Sequence, residues 1–275
     1  MTEHVTSGRG DRVAYDRDGA TGTAPTVVLV AGAGSLRGAE PVLATAALTA
    51  AAGVSVVVPD RLGRGESGAD PSTGSGDVRW DLDRELEALR AVIEATGGRA
   101  VLCGHSSGCA ISLVAAARGL PVDGLLLWEA PLSASATDTT GWADGFERRL
   151  DDGALESAQE WYMKDMPPQW LAGAKASPGW PAIYAGSVSL RADAQAMRWT
   201  TAALASGALR DRVRVPVLAT YGTSTFPGMV EAAERVRSVL PQTEVREVTG
   251  ANHVWDPAAF APVLAEFVRS CTAPA

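Results

Sequence analysis

Ser106 stands in the pentapeptide Gly104-His105-Ser106-Ser107-Gly108. The residues before it, 100–103 (Ala-Val-Leu-Cys), form an apolar run short enough to be a strand buried on both faces. The residues after it, 109–117, are small and apolar and fit a buried helix. A serine at the tip of such a strand–turn–helix is exposed by the sharpness of the turn. Gly104 and Gly108 lack a Cβ, which lets strand and helix pass close to each other. Ser107 offers its backbone N–H at the positive end of a helix, where an oxyanion is favoured. The chemistry this suggests is attack of a serine hydroxyl on an acyl carbon. It requires a base for the serine proton, a group to orient the base and donors for the oxyanion. The pentapeptide alone fits a Gly/Ser turn capping a helix just as well, so other segments must supply these parts.

The elements that would position them follow from the apolar pattern. Residues 5–7 and 12–16 read as two short edge strands joined by a Gly-Arg-Gly-Asp turn. A polar connection (18–25) leads to the β-branched run 26–31, TVVLVA, a buried strand. Residues 41–52 read as a helix and 54–58 as a third buried strand, followed by a Gly/Ser/Pro-rich loop at 68–76. Residues 77–96 suit a long helix, with Val78, Leu82, Leu86, Leu89 and Ile93 at steps of three and four and charges between. After the serine segment come a strand at 124–128 (GLLLW), a strand at 216–221, a helix at 231–240, a strand at 244–248 and a closing helix at 257–269. Strands alternating with helices predict a parallel, doubly wound α/β sheet, whose sites lie beyond the carboxyl ends of the strands. Between residues 132 and 209 the composition changes. That stretch holds Trp142, Trp161, Trp170, Trp180 and Trp199, with Phe146, Tyr162 and Tyr184. It reads as a mostly helical cap inserted between two core pieces, 1–131 and 210–275. Some of its aromatics fill its own small core and others line a pocket.

Composition narrows the partners. Forty-six per cent of the 275 residues are apolar, enough for a substantial core. A net charge of −8 argues against a nucleic-acid partner. No apolar run approaches the roughly 20 residues of a membrane span, and MTEHVTSGRGDR has no apolar signal-peptide core. Three cysteines, Cys103, Cys109 and Cys271, form no disulfide framework and fit a reducing, cytoplasmic compartment. His4, His105 and His253 lie far apart without ligand spacing, so neither a metal nor another cofactor is expected. The expected partner is a small-molecule substrate.

Beyond the serine turn, three segments carry a family resemblance: Ala31-Gly32-Ala33-Gly34, the run Asp60-Arg61-Leu62-Gly63-Arg64-Gly65-Glu66-Ser67, and Gly250-Ala251-Asn252-His253. Together with the G-H-S-S-G turn they resemble the α/β-hydrolase superfamily over nearly the full length. The turn matches its nucleophile elbow, the first segment its oxyanion loop, the second its D-x-x-G-x-G-x-S segment, and the third the G-x-x-H that carries the catalytic histidine. The resemblance implies the α/β-hydrolase fold with a helical cap after the sixth strand, GLLLW. It makes Ser106 the nucleophile and His253 the base, and Ser107 and Ala33 the oxyanion donors with Gly34 as the neighbouring candidate. Elimination agrees on His253. His105 precedes the nucleophile and points away from it, and His4 lies in a loose terminus. Asp60 and Arg61 shape their loop, and Asp256 lies too close to His253 along the chain to orient it.

The acid departs from the family pattern. Where the family has an Asp after its seventh strand, this chain reads Tyr221-Gly222-Thr223-Ser224-Thr225-Phe226-Pro227. Glu129, directly after GLLLW, is one candidate. Thr225 or Ser224 as a neutral orienting group is a second, and a degenerate triad is a third. The loss of rate that follows wrong orientation of a triad base, about 10⁴-fold, favours Glu129. Trp128, Trp255, Trp142 and Trp161 are candidates for the substrate wall. The expectation is a serine hydrolase cleaving a carboxylic ester, lactone or thioester of a small apolar molecule through an acyl-enzyme. A serine at the elbow excludes the aspartate-nucleophile chemistry of dehalogenases and epoxide hydrolases. The alternatives are a lyase or biosynthetic tailoring enzyme with an altered triad, or a binding protein with a relict site.

Overall fold

A computed structural model describes residues 2–19, 26–69 and 78–272. Residues 70–76 of the expected loop at 68–76, most of the connection at 18–25 and the first residue of the expected helix 77–96 lie outside the described residues, and Gly68–Ala69 forms a short strand where a loop was expected. The core is one twisted sheet. Its strands are β1 (Thr2–Thr6), β2 (Asp11–Asp18), β3 (Thr26–Val30), β4 (Ser55–Pro59), β5 (Gly68–Ala69), β6 (Ala100–His105), β7 (Val122–Trp128), β8 (Val217–Ser224), β9 (Thr243–Ala251) and β10 (Val254–Trp255). They lie in the order β1-β2-β4-β3-β6-β7-β8-β9-β10, with β5 beside β2. From β4 to β9 every neighbouring pair is parallel; β1, β2, β5 and β10 are antiparallel to their neighbours. The two-residue strands β5 and β10 are too short to show any sequence periodicity.

Among the described residues ten helices flank or extend the sheet besides the short α9: α1 (Val42–Ala51), α2 (Leu82–Ala95), α3 (Ser107–Ala117), α4 (Ala136–Asp151), α5 (Leu155–Met163), α6 (Pro168–Ala176), α7 (Trp180–Ala185), α8 (Arg191–Ser206), α9 (Leu209–Arg212), α10 (Pro227–Val239) and α11 (Pro257–Thr272). A 3-10 turn at Gly186–Leu190 joins α7 to α8. The helix expected from residue 77 begins at Leu82. Asp81 accepts the Arg84 N–H at 2.9 Å and fixes the N-terminus there, leaving Val78 outside.

Alternation along the buried strands sorts side chains between two layers. Val28, Val30, Leu102, Leu125 and Leu127 pack with α2, α3 and α8. Val27, Leu29, Val101, Cys103, Leu126 and Trp128 pack with α1 and α11. A third cluster lies within the inserted helices and holds Ala143, Phe146, Leu150, Ala158, Tyr162, Leu190 and Ala194. The last inserted helix, α8, also places Ala196, Met197, Ala203 and Leu204 in the main core. The aromatic segment is thus built on its own small core and seated on the sheet layer through α8.

The chain winds outward from β3 to β4 on one side and resumes at β6 on the other. The ends of β3 and β6 therefore flank the point where strand order reverses, where open α/β sheets carry their ligands. No described helix is long and apolar enough to cross a membrane.

Candidate active site

Ser106 occupies φ 55°, ψ −127° between β6 and α3. This is a conformation that a residue with a side chain holds only when its surroundings enforce it. The enforcement is visible. The Ser106 N–H donates to the Trp128 carbonyl at 3.0 Å, and the Cys109 N–H donates to the Ser106 carbonyl at 2.9 Å. A Cβ on Gly108 would lie 2.0 Å from the Val30 oxygen, and one on Gly104 would lie 2.6 Å from the Cys109 Cα. Only glycine fits at either place, as the close passage of strand and helix demands. The Cys109 thiol donates to the carbonyls of Gly104 (3.1 Å) and Trp128 (3.3 Å). Burial raises its pKa well above the ordinary thiol range, so it braces the turn as a neutral group.

Glu129 and His253 meet from different strands. Glu129 follows β7, and His253 sits in the turn between β9 and β10. The His253 Nδ1–H donates to Glu129 Oε2 at 2.6 Å. The other carboxylate oxygen accepts the Gly222 N–H at 2.9 Å. A carboxylate only accepts, so Nδ1 carries a proton, and in the neutral ring the lone pair is on Nε2. Glu129 is 1 % exposed. Burial pushes its carboxyl up, but hydrogen bonding from His253 and Gly222, with Thr225 close by, brings it below the usual carboxylate range. Thr225 Oγ1 is buried without a hydrogen bond of good geometry. The group bonded to the imidazole is therefore Glu129, and Thr225 does not orient the ring. Among the described residues the non-glycine positions with positive φ are Ser106, Glu129, Asn252 and His253. Backbone strain of about 1–3 kcal/mol each is thus concentrated at the serine turn and at the bonded Glu129–His253 pair.

The His105 ring packs 5.0 Å from the His253 ring. Its Nε2–H donates to the His253 carbonyl at 3.1 Å, and Trp128 Nε1–H donates to the same oxygen at 3.3 Å. Burial, followed by the proximity of His253, lowers the His105 pKa from 6.5 to about 4. It acts as a neutral prop under the His253 loop. His4 is not in a loose terminus: it belongs to β1 and pairs across to Ala14.

Segment 31–34, expected to supply oxyanion donors, follows β3. Ala33 packs against the cluster of the inserted helices, and Gly34 adopts φ 71°. Behind it lies a buried ionic cluster. Arg61 forks onto Asp193 with Nη1 to Oδ1 at 2.7 Å and Nη2 to Oδ2 at 3.0 Å, and its Nε donates to Glu85 at 2.7 Å. Arg64 Nη2 donates to Asp193 Oδ2 at 2.8 Å, and its Nε to Ser189 Oγ at 3.2 Å. The Ser107 hydroxyl donates to Asp193 Oδ1 at 2.6 Å. Further guanidinium donors reach segment 31–34: Arg61 Nη1 to the Ala31 carbonyl (3.1 Å) and Arg64 Nη1 to the Gly32 carbonyl (2.7 Å). Two cations thus meet two anions. Burial would raise the Asp193 pKa, but Arg61 and Arg64 more than offset it and hold the carboxylate ionised. Asp60 serves its loop as expected, accepting the backbone N–H groups of Arg37 (2.9 Å) and Glu66 (3.1 Å).

The expected aromatic wall needs correction. Trp128 is fully buried and Trp255 is 3 % exposed. Both sit in the α1/α11 layer with Phe260, because alternation on β7 sends residues 126 and 128 to that face. Trp161 is committed to helix packing: its Nε1–H donates to the Trp142 carbonyl at 2.8 Å and Arg149 lies 3.9 Å over its ring. Trp142 stacks with Phe146 and lies where the main core meets the inserted cluster. The rings found beside the imidazole are others. Trp170 on α6 lies 6.3 Å from His253, and Phe226, just before α10, lies 5.6 Å from Trp170. Neither has a local sequence signal. Both are half-buried, and Trp170 links Phe226 to His253.

The comparisons with known proteins agree with this geometry. A sequence model described as "Alpha/beta hydrolase family" matches residues 27–263. An alpha/beta hydrolase from Sphaerobacter thermophilus DSM 20745 is 30 % identical, with a TM-score of 0.75 over 96 % of this chain and 99 % of that one. A thermophilic esterase from Thermogutta terrifontis superposes with a TM-score of 0.66 at 19 % identity, over 99 % and 100 % of the two chains. A haloalkane dehalogenase from Bradyrhizobium elkanii gives 0.66 at 17 % identity, over 98 % and 97 %. These two likenesses speak for the fold alone. A search of curated proteins finds no match to this sequence. With its strand order, its strained serine turn and a family match across most of its length, the chain belongs to the alpha/beta hydrolase family of enzymes.

Proposed function

We propose that this protein is a serine hydrolase that cleaves a carboxylic ester, lactone or thioester of a small, largely apolar molecule. The observation that carries the reading is the 2.6 Å contact between His253 Nδ1 and Glu129, which leaves Nε2 as the free base. In this mechanism Nε2 takes the Ser106 proton as Oγ attacks the acyl carbon. The imidazolium is stabilised by Glu129 and returns its proton to the leaving alcohol or thiol. The oxyanion is met by the N–H groups of Ala33 and Ser107, with Gly34 beside them. Water, activated by His253 in turn, attacks the acyl-enzyme and releases the acid. The mechanism as written uses only side chains, backbone and water.

The inserted helices act in this reading as a cap. Trp170 and Trp142 from the cap, with Phe226 from the core beneath it, form apolar walls, which suits a small apolar acyl group better than a charged one. The lyase alternative drew its motive from the missing aspartate after GLLLW's neighbouring strand. A carboxylate already bonded to His253 supports hydrolysis over it.

The test is intact-mass spectrometry after a fluorophosphonate probe, with peptide mapping of the adduct. The expected outcome is one adduct per chain, on Ser106, absent in Ser106→Ala, together with hydrolysis of short-chain p-nitrophenyl esters. A folded protein that takes no label and cleaves no acyl substrate ends this reading.

A further inference from the structure

We propose that Arg64 is a positioning residue for the oxyanion hole, and that Asp193, carried by the inserted helix α8, locks both halves of that hole in register. The inference rests on the serine-hydrolase reading above.

The peptide between Gly32 and Ala33 is trans, since Glu40–Pro41 is the cis bond among the described residues. In a planar trans peptide the C=O and the following N–H point in opposite directions. The Gly32 carbonyl is held by Arg64 Nη1 at 2.7 Å, inside the buried cluster. The Ala33 N–H therefore points out of the cluster. The segment also abuts the nucleophile: a Cβ on Gly32 would lie 2.9 Å from the Ser106 Cβ. A guanidinium on a carbonyl draws electron density through the amide, which makes its N–H a stronger donor. Arg64 thus aims the Ala33 donor and strengthens it from behind.

The second donor is tied to the same carboxylate. Ser107 begins α3, so its N–H has no partner within the helix. Its hydroxyl donates to Asp193 Oδ1, while Oδ2 receives Arg64 Nη2. One buried carboxylate therefore bridges the residue that aims the first donor and the residue that supplies the second. Asp193 lies in the insertion, whereas Gly32, Arg64 and Ser107 lie in the sheet layer. A shift of α8 would loosen both donors together. The competing view is that the cluster only fastens the insertion to the core.

The two views differ on a charge-balanced variant. Arg64→Met leaves a surplus negative charge in the cluster, whereas Arg64→Met with Asp193→Asn leaves Arg61 facing Glu85, one cation and one anion. The measurements are kcat and KM on p-nitrophenyl acetate, the affinity for a trifluoromethyl ketone that forms an oxyanion on Ser106, and the urea unfolding midpoint. The expected result for the double variant is a near-native midpoint, a KM within about threefold of the parent and a kcat about 100-fold lower, the size of a lost oxyanion donor. The ketone affinity falls in parallel. A double variant with native kcat and native ketone affinity overturns the proposal, because the cluster would then be a fastener alone. If the double variant does not fold, Arg64→Lys decides. Its single ammonium cannot span Gly32 and Asp193 as the fork does, so kcat is expected to fall about tenfold with KM unchanged; unchanged kcat overturns the proposal. If wild-type Ser106 takes no fluorophosphonate, the hydrolase reading fails separately. A crystal structure of the folded variant then tests the orienting role. A rotated Gly32–Ala33 peptide supports it, and an unmoved one overturns it.

Discussion

Glu129 holds a full negative charge where almost no water reaches it, and the hydrogen bonds it accepts explain why. Two donors, the His253 ring and the Gly222 amide, satisfy one oxygen each. Glu129→Gln keeps the shape but removes the charge and lets the amide favour the wrong imidazole tautomer. We expect kcat to fall roughly 10³- to 10⁴-fold with little change in KM, as removal of an orienting acid does in related triads; steady-state kinetics on an ester that labels Ser106 is the check. His105 makes a different prediction. Its folded pKa of about 4 lies below the unfolded value of 6.5, so between those values the unfolded chain binds more protons. The stability this neutral histidine confers is complete above pH 6.5 and is lost as pH falls through 4. At about 1.4 kcal/mol per unit it is worth on the order of 3 kcal/mol. Urea unfolding at pH 5 and pH 7.5 should show a smaller loss at the lower pH in His105→Gln than in the parent.

At the level of elements, the serine turn depends on contacts that its own sequence does not contain. β6 and α3 supply the local geometry, but the Ser106 amide is held by Trp128 of β7 and the Gly108 position is closed by Val30 of β3. The inserted helices have a core of their own, centred on the fully buried Phe146 between Trp142 and Tyr162. Phe146→Ala should cost about 3–5 kcal/mol locally. Because that cluster is separate from the sheet layers, hydrogen exchange should accelerate across α4, α5 and the 3-10 turn while β3, β6 and β7 remain protected. Equal acceleration in the sheet would show that the two cores open as one.

For the whole molecule, the cluster of Arg61, Arg64, Glu85 and Asp193 joins segments far apart in the chain. Such clusters add little when intact, because desolvation offsets the attraction, but breaking one strands a buried charge. Arg61→Met removes the central fork and leaves Glu85 and Asp193 against Arg64 alone. We expect a loss of about 3–5 kcal/mol in urea unfolding. A loss below 1 kcal/mol would mean that water reaches the cluster in the folded state.

Much of this enzyme was legible in one dimension. The order of strands and helices and the serine turn follow from local pattern, because strand alternation, helix periodicity and glycine placement act between near neighbours; the late histidine and the glutamate after GLLLW were singled out through the family resemblance. The acid was left open between Glu129 and the hydroxyls of the 221–227 loop, because chain position does not show which group reaches the imidazole. The tertiary structure brings β7 and the β9–β10 turn together, so that Glu129 and His253 meet at 2.6 Å. It also decided which tryptophans face the site. Trp128 and Trp170 are equally aromatic in the sequence, but the phase of β7 buries one in the core and the course of α6 brings the other beside His253. The buried cluster had no sequence signature beyond Arg61 and Arg64 in their loop. Its other members come from α2, α3 and α8, and only packing brings opposite charges from distant segments within hydrogen-bond reach.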